Sequence, residues 1–154
     1  IPLDFVRGEI LVTAPLKPVL RYPSRHIRQT GSGNLLLGST HERAGLDRTS
    51  TRGAARSIAR NALRTIPILK DLQVIRQYAG IRPMPVDGKP YLGPVGRLPG
   101  LYIAVSHSGI TLSPIFGKVI SELILDEHTE IPLDLYRPER YADGFGRDIE
   151  VNYV

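Results

Sequence analysis

The 154-residue sequence predicts an α+β fold: a mostly antiparallel sheet with one helix packed on it, then a strand, a polar turn and a second helix. Three observations carry this. His26 to Gln29 and Asn34 to Leu37 are two strand-like runs joined by Gly31-Ser32-Gly33, which is a hairpin signal. Ala55, Ile58, Ala59, Ala62, Leu63 and Ile66 recur at the spacing of a helix with one buried stripe. Leu101 to Val105 is an apolar run that leads through small polar residues into a further helical pattern.

Gly8 to Val12 and Val19 to Tyr22 read as short or edge strands, because Pro15, Pro18 and Pro23 cannot sit inside a central strand. Gly31, Gly33 and Gly38 lack the G-x-G-x-x-G spacing of a dinucleotide loop and read as turn glycines. The helix from Ala55 has N-cap oxygens on offer from Thr49, Ser50 and Thr51, and Pro67 should stop it near Ile66. Val74 to Gly80 reads as a strand that ends in Gly80-Ile81-Arg82-Pro83, and the Pro/Gly-dense stretch from Pro85 to Gly100 as an ordered or semi-rigid loop. The run Leu101 to Val105 suits a strand buried on both faces, as in a parallel sheet. After it, Ser106-His107-Ser108-Gly109-Ile110-Thr111 precedes a helix with Ser113 as N-cap, Pro114 as first residue, and Ile115, Val119, Ile120, Leu123 and Ile124 as its core stripe. A strand, a tight turn and a helix start can aim backbone N–H groups at a ligand, or can be an ordinary connection. Leu133 to Tyr141 reads as a surface closing segment and 142–154 as a tail.

Composition narrows the chemistry. There is no Cys, which removes disulfides, Cys-ligated metals and thiol nucleophiles, and which fits a reducing cytoplasm. No apolar run reaches the roughly 18–20 residues that span a bilayer. Residues 1–77 carry 13 Lys and Arg against 5 Asp and Glu, a net +8, whereas residues 78–154 carry 7 against 10, a net −3. Arg52, Arg56, Arg60 and Arg64 recur every four residues on the first helix. Such a ridge either tracks phosphates, making the chain a basic nucleic-acid-binding module, or is a solvated face; the helix carries no aromatic residue for base stacking, and nucleic acid is the minor reading. Ile1 stands where an initiator Met would be, so the expectation is a processed chain or a piece of a larger protein or assembly.

Several segments together resemble the FAD-dependent amino-acid oxidase family that includes glycine oxidase, sarcosine oxidase and D-amino-acid dehydrogenases. Gly80-Ile81-Arg82-Pro83 with Asp87-Gly88-Lys89-Pro90-Tyr91-Leu92-Gly93 is similar to the family's G-x-R-P…D-G-x-P-x-x-G stretch. Leu101 to Pro114 resembles its flavin loop and final helix. Gly8-Glu9-Ile10, Leu35 to Glu42 and the Ala55 to Ile66 helix resemble its substrate domain. The likeness covers about residues 8–141, and two departures stand out: Ser106 replaces the family's usual glycine, and no arginine follows His107.

The resemblance implies an FAD cofactor and oxidation of a small amino acid or amine, with hydride passing from the carbon beside nitrogen to the flavin and the imine then hydrolysing. It implies that Arg82 pairs with the substrate carboxylate, the alternative being that Arg82 only pins its loop through backbone carbonyls. It implies that Ser106, His107, Ser108, Gly109, Ile110 and Thr111 bind the flavin edge; no catalytic side chain and no metal ligand is assigned. The expected organisation is a substrate-domain portion over 1–80, the C-terminal part of a Rossmann-like FAD-binding domain over 81–130, and a closing segment and tail over 131–154. The family's G-x-G-x-x-G half is expected to come from outside this chain, as an amino-terminal portion or a partner subunit. Alone, the chain is then expected to be inactive, with exposed apolar edges that favour self-association or association with the absent half.

Overall fold

Strand β1 spans Leu3–Thr13, β2 Ile27–Gln29, β3 Leu35–Gly38 and β4 Val74–Pro85, and the four form one sheet in the order β2-β3-β1-β4. The computed structural model describes residues 1–141; the expected tail at 142–154 lies outside the described residues. The chain divides into two units, Phe5–Arg82 and a second made of Ile1–Asp4 with the residues from Pro83 onward. The α+β class and the antiparallel sheet are as the sequence predicts.

In the first unit the hairpin forms as expected, β2 pairing antiparallel with β3 so that Ile27 faces Leu37 and Gln29 faces Leu35. The Thr30 amide donates to the Asn34 carbonyl across the turn, and Gly33 takes a φ of 90°, which only glycine adopts without strain. β3 also pairs antiparallel with β1, Leu11 opposite Leu37. Leu11, Ile27, Leu35 and Leu37 thereby share one face and pack against Ile58 and Ala62 of helix α1 (Arg52–Thr65) and against Leu69 of the 3-10 turn Pro67–Asp71.

Both ends of α1 obey the sequence signals. The Thr51 hydroxyl accepts the Ala54 amide at 3.1 Å, and Pro67 starts the 3-10 turn directly after the Ile66 cap. Thr51→Ala therefore removes an N-cap and is expected to lower the unfolding free energy by about 1 kcal/mol, read by urea titration. The segment Val19 to Tyr22 is not a strand. Its prolines remove ladder donors, and the Gln29 side chain takes the place of a neighbouring strand: its Oε1 accepts the Val19 and Leu20 amides at 2.8 and 3.2 Å, while its Nε2 donates to the Leu16 and Lys17 carbonyls, both at 3.2 Å.

The second unit departs further from expectation. The Pro/Gly-dense stretch contains a strand, β5 (Tyr91–Pro94), antiparallel to β6 (Tyr102–Val105), with Tyr91 opposite Val105. β6 is thus half of a two-stranded antiparallel sheet with Ala104 exposed, not a strand buried on both faces of a parallel sheet. Helix α2 begins at Gly109 and runs to Leu125, which places Pro114 inside it. Proline leaves the carbonyl four residues back without its helical donor. The Ser113 hydroxyl donates to that carbonyl, Ile110 O, at 2.8 Å, so Ser113 repairs the interior of the helix and does not cap it.

Phe116 and Val119 of α2 are buried with Leu92 of β5, and Ile131, Leu133 and Tyr136 close over them. Ile115 and Ile124 are exposed, so the buried stripe is rotated from the one expected. The segment expected to run over the surface instead enters the core: Tyr136 O accepts the Leu92 amide at 2.9 Å, and Arg140 is fully buried.

Candidate functional site

Arg82 stands on β4, in the first unit. Along β1, side chains alternate: Glu9 and Leu11 point toward α1, and Gly8 and Ile10 point to the opposite face. The Arg82 guanidinium lies on that opposite face directly over Gly8, where a Cβ would overlap its Cζ, Nη1 and Nη2. Its Nη1 donates to the Thr40 carbonyl at 3.1 Å and its Nη2 to the Ser39 hydroxyl at 2.6 Å. The group is half-buried, and burial lowers its pKa from the ordinary value. It remains a cation at neutral pH. Among the described residues no carboxylate pairs with it, and the other three of its five N–H groups have no protein acceptor.

The loop that carries Ser39 and Thr40 is itself fixed. The Glu9 amide donates to the Thr40 hydroxyl at 3.0 Å, and the buried Arg7 guanidinium gathers Glu42 at 2.5 Å, Asp47 at 2.8 Å and the Thr49 carbonyl at 3.0 Å. The hydrogen bond from Arg7 holds the Glu42 carboxyl below the usual range, and bonds from the Thr49 hydroxyl and amide do so at Asp47. On the α1 side of β1, the Glu9 carboxylate accepts from the Thr51 amide and hydroxyl and from the Gln77 side chain.

Ser106, His107, Ser108, Gly109, Ile110 and Thr111 are in the second unit, between β6 and the first turn of α2. Ser108 takes the N-cap position, but its side chain makes no cap bond, and no acidic residue occupies the first turn. The Leu112 amide makes the first helical bond, to Ser108 O at 3.0 Å, so the amides of Gly109, Ile110 and Thr111 precede the ladder. Among the described residues, apart from its chain neighbours and the helix's own backbone, nothing lies within 4 Å of where a Gly109 Cβ would be, and Ile110 is 92% exposed. The Ser108 hydroxyl and His107 Nδ1 share a hydrogen bond, which ties this histidine to its own loop. An approachable helix start with donors and no anion of its own fits an electron-rich ring edge.

The arginines of the α1 ridge, Arg52, Arg56, Arg60 and Arg64, are all exposed, opposite the buried Ala54, Ile58 and Ala62. No cluster of metal-binding side chains occurs among the described residues, and none of their helices is long and apolar enough to cross a membrane. Reasoning from local pattern missed Gly8, Ser39 and Thr40 as partners of Arg82. A glycine inside a strand was the available signal, since it marks close approach by another group.

Residues 1–123 match the family described as FAD dependent oxidoreductase. The chain belongs to this family, whose cofactor is FAD. It is 30% identical over 140 residues to an opine oxidase subunit from Rhizobium meliloti, covering 91% of this chain and 38% of that protein. With glycine oxidase of Pseudomonas aeruginosa it shares 34% identity over 108 residues, covering 69% of this chain and 30% of that protein. Among solved structures it is similar to L-proline dehydrogenase from P. horikoshii, with a TM-score of 0.82, 27% identity, and coverage of 96% of this chain and 42% of that one. Glycine oxidase from Geobacillus kaustophilus gives a TM-score of 0.77 at 27% identity, with coverage of 88% and 39%. The chain therefore spans well under half the length of these relatives.

Proposed function

We propose that this chain supplies the substrate-facing sheet and the flavin-edge loop of an oxidoreductase that oxidises the C–N bond of a small amino acid or secondary amine. The single observation that carries the reading is Arg82: a half-buried cation with three open N–H groups and no carboxylate partner among the described residues. A substrate carboxylate completes it, because a guanidinium fork matches a carboxylate at two points. FAD, when bound, accepts the hydride. The first-turn amides of α2, with the segment Ser106 to Thr111, would hold its electron-rich edge and favour the charge it gains on reduction.

Chain coverage and the names of two relatives, each described as one subunit of an enzyme (an opine oxidase, and the hydrogen cyanide synthase of Pseudomonas protegens), support further polypeptide completing the site, from the same protein or a partner. On this reading the chain alone is inactive, and the whole protein works in the cytoplasm.

The test is Arg82→Ala in the FAD-loaded enzyme, assayed with glycine, sarcosine and D-amino acids. Loss of a charged hydrogen-bonded contact of about 1.5–3 kcal/mol is expected to raise KM roughly 10- to 150-fold, with a smaller change in kcat. An unchanged KM for every carboxylate substrate overturns the assignment.

A further inference from the structure

We infer that Gly8 and Ser39 are positioning residues that set Arg82 to receive a planar carboxylate edge-on, with Ser39 the tuning element; this rests on the reading of Arg82 as the carboxylate anchor. The Cζ, Nη1 and Nη2 atoms all lie within 2.4 Å of the point where a Gly8 Cβ would stand, so the Nη end of the guanidinium packs against the bare Gly8 backbone. That side of the group is closed to ligands. Two points of its edge are taken, one by the Thr40 carbonyl at 3.1 Å and one by the Ser39 hydroxyl at 2.6 Å. What stays open is the Nε–H and one N–H on each Nη, all in the guanidinium plane. A carboxylate approaching in that plane meets parallel donors, the arrangement in which a bidentate pair forms.

The seat is stiff because its two sides are tied together. The Glu9 amide donates to the Thr40 hydroxyl at 3.0 Å and the Thr40 amide to Glu9 O at 3.4 Å, so the residue after Gly8 holds the residue after Ser39. Without the Ser39 hydroxyl the guanidinium loses its one side-chain hydrogen bond among the described residues and keeps the one to Thr40 O. The Ser39 hydroxyl never meets the ligand on this account. It acts through Arg82, by removing rotational freedom that binding would otherwise have to remove.

The experiment uses the FAD-loaded enzyme with acetate and its uncharged analogue acetamide as probes, binding being followed by perturbation of flavin absorption. Ser39→Ala is expected to weaken acetate about fivefold or more, with acetamide and the melting temperature unchanged, and to raise KM for amino-acid substrates more than it lowers kcat. Ser39→Thr keeps the hydroxyl and is expected to restore acetate binding to within about twofold. Gly8→Ala, which displaces the guanidinium, is expected to weaken acetate at least as much as Ser39→Ala. If Ser39→Ala leaves acetate binding intact while Arg82→Ala abolishes it, the positioning role is wrong and the anchor stands. If Arg82→Ala itself leaves acetate binding intact, the anchor reading fails and takes this one with it. Equal weakening of acetate and acetamide, with a lowered melting temperature, makes Ser39 merely structural and also overturns the inference.

Discussion

Arg140→Met lowers the unfolding free energy by about 3–5 kcal/mol, because it strands the buried Asp87 carboxylate. Arg140 Nε and Nη2 donate to the two Asp87 oxygens, each at 2.8 Å, and both side chains are almost wholly buried. The remaining donors are satisfied by the carbonyls of Lys89, Pro90, Tyr136 and Arg137, and the Cζ sits 3.8 Å from the centre of the Tyr91 ring. One guanidinium thus ties the 136–140 segment to the turn that leads into β5. β5 pairs with β6, and β6 leads into Ser106 to Thr111, so loosening this tie reaches the segment proposed to meet the flavin edge. Arg140→Lys is expected to recover only part of the loss, since one ammonium cannot copy the planar fork.

The same pair has a pH signature. Burial alone would push the Asp87 carboxyl up, but the hydrogen bonds from Arg140 and the Lys89 amide, with both positive charges, bring it below the usual carboxylate range. A folded-state pKa below the unfolded one, which is about 3.9, means the contribution is complete above that value and is lost as pH falls through the folded pKa. Urea titrations from pH 7 to pH 2 are expected to show a steep acid limb. Asp87→Asn should start lower and flatten that limb, and a limb unchanged in slope would remove Asp87 as its source.

What the sequence made legible was whatever is decided locally. The α1 helix has its period, its Thr51 cap and its Pro67 stop within a few residues, and the β2-β3 hairpin has its glycine turn, so both form where expected. Leu101 to Val105 reads as a strand, but an apolar run does not name its partner. Its partner β5 is a short strand flanked by Pro90 and Gly96, hidden among turn residues. The start of α2 was misplaced because Ser113-Pro114 carries a start signal that a hydroxyl donating to Ile110 O overrides. Arg82 is singled out by resemblance alone, and no local pattern marks it. Its seat joins Gly8, Ser39 and Thr40, which lie 42 or more residues from it, and the Asp87–Arg140 pair spans 53 residues. No local pattern encodes a pairing of that range.

Glu9→Leu is expected to cost about 3 kcal/mol or more of unfolding free energy. Glu9 is fully buried and accepts the Thr51 amide at 3.0 Å, the Thr51 hydroxyl at 3.0 Å and the Gln77 side-chain amide at 2.7 Å. A leucine leaves these donors facing hydrocarbon, at about 1–3 kcal/mol for each that finds no substitute, and removes a negative group from the start of α1. Glu9→Gln keeps one acceptor oxygen and is expected to lose less than half as much. Hydrogen exchange should localise the damage to the first turn of α1, around Ala54 and Ala55. Strand alternation separates this role from the one next door: the Glu9 side chain serves the helix on one face, while Gly8 leaves the other face bare for Arg82. Glu9→Gln is therefore expected to lower stability without changing the ratio of acetate to acetamide affinity, whereas Gly8→Ala changes that ratio. A shift in the ratio with Glu9→Gln would mean that the two faces of β1 are not independent.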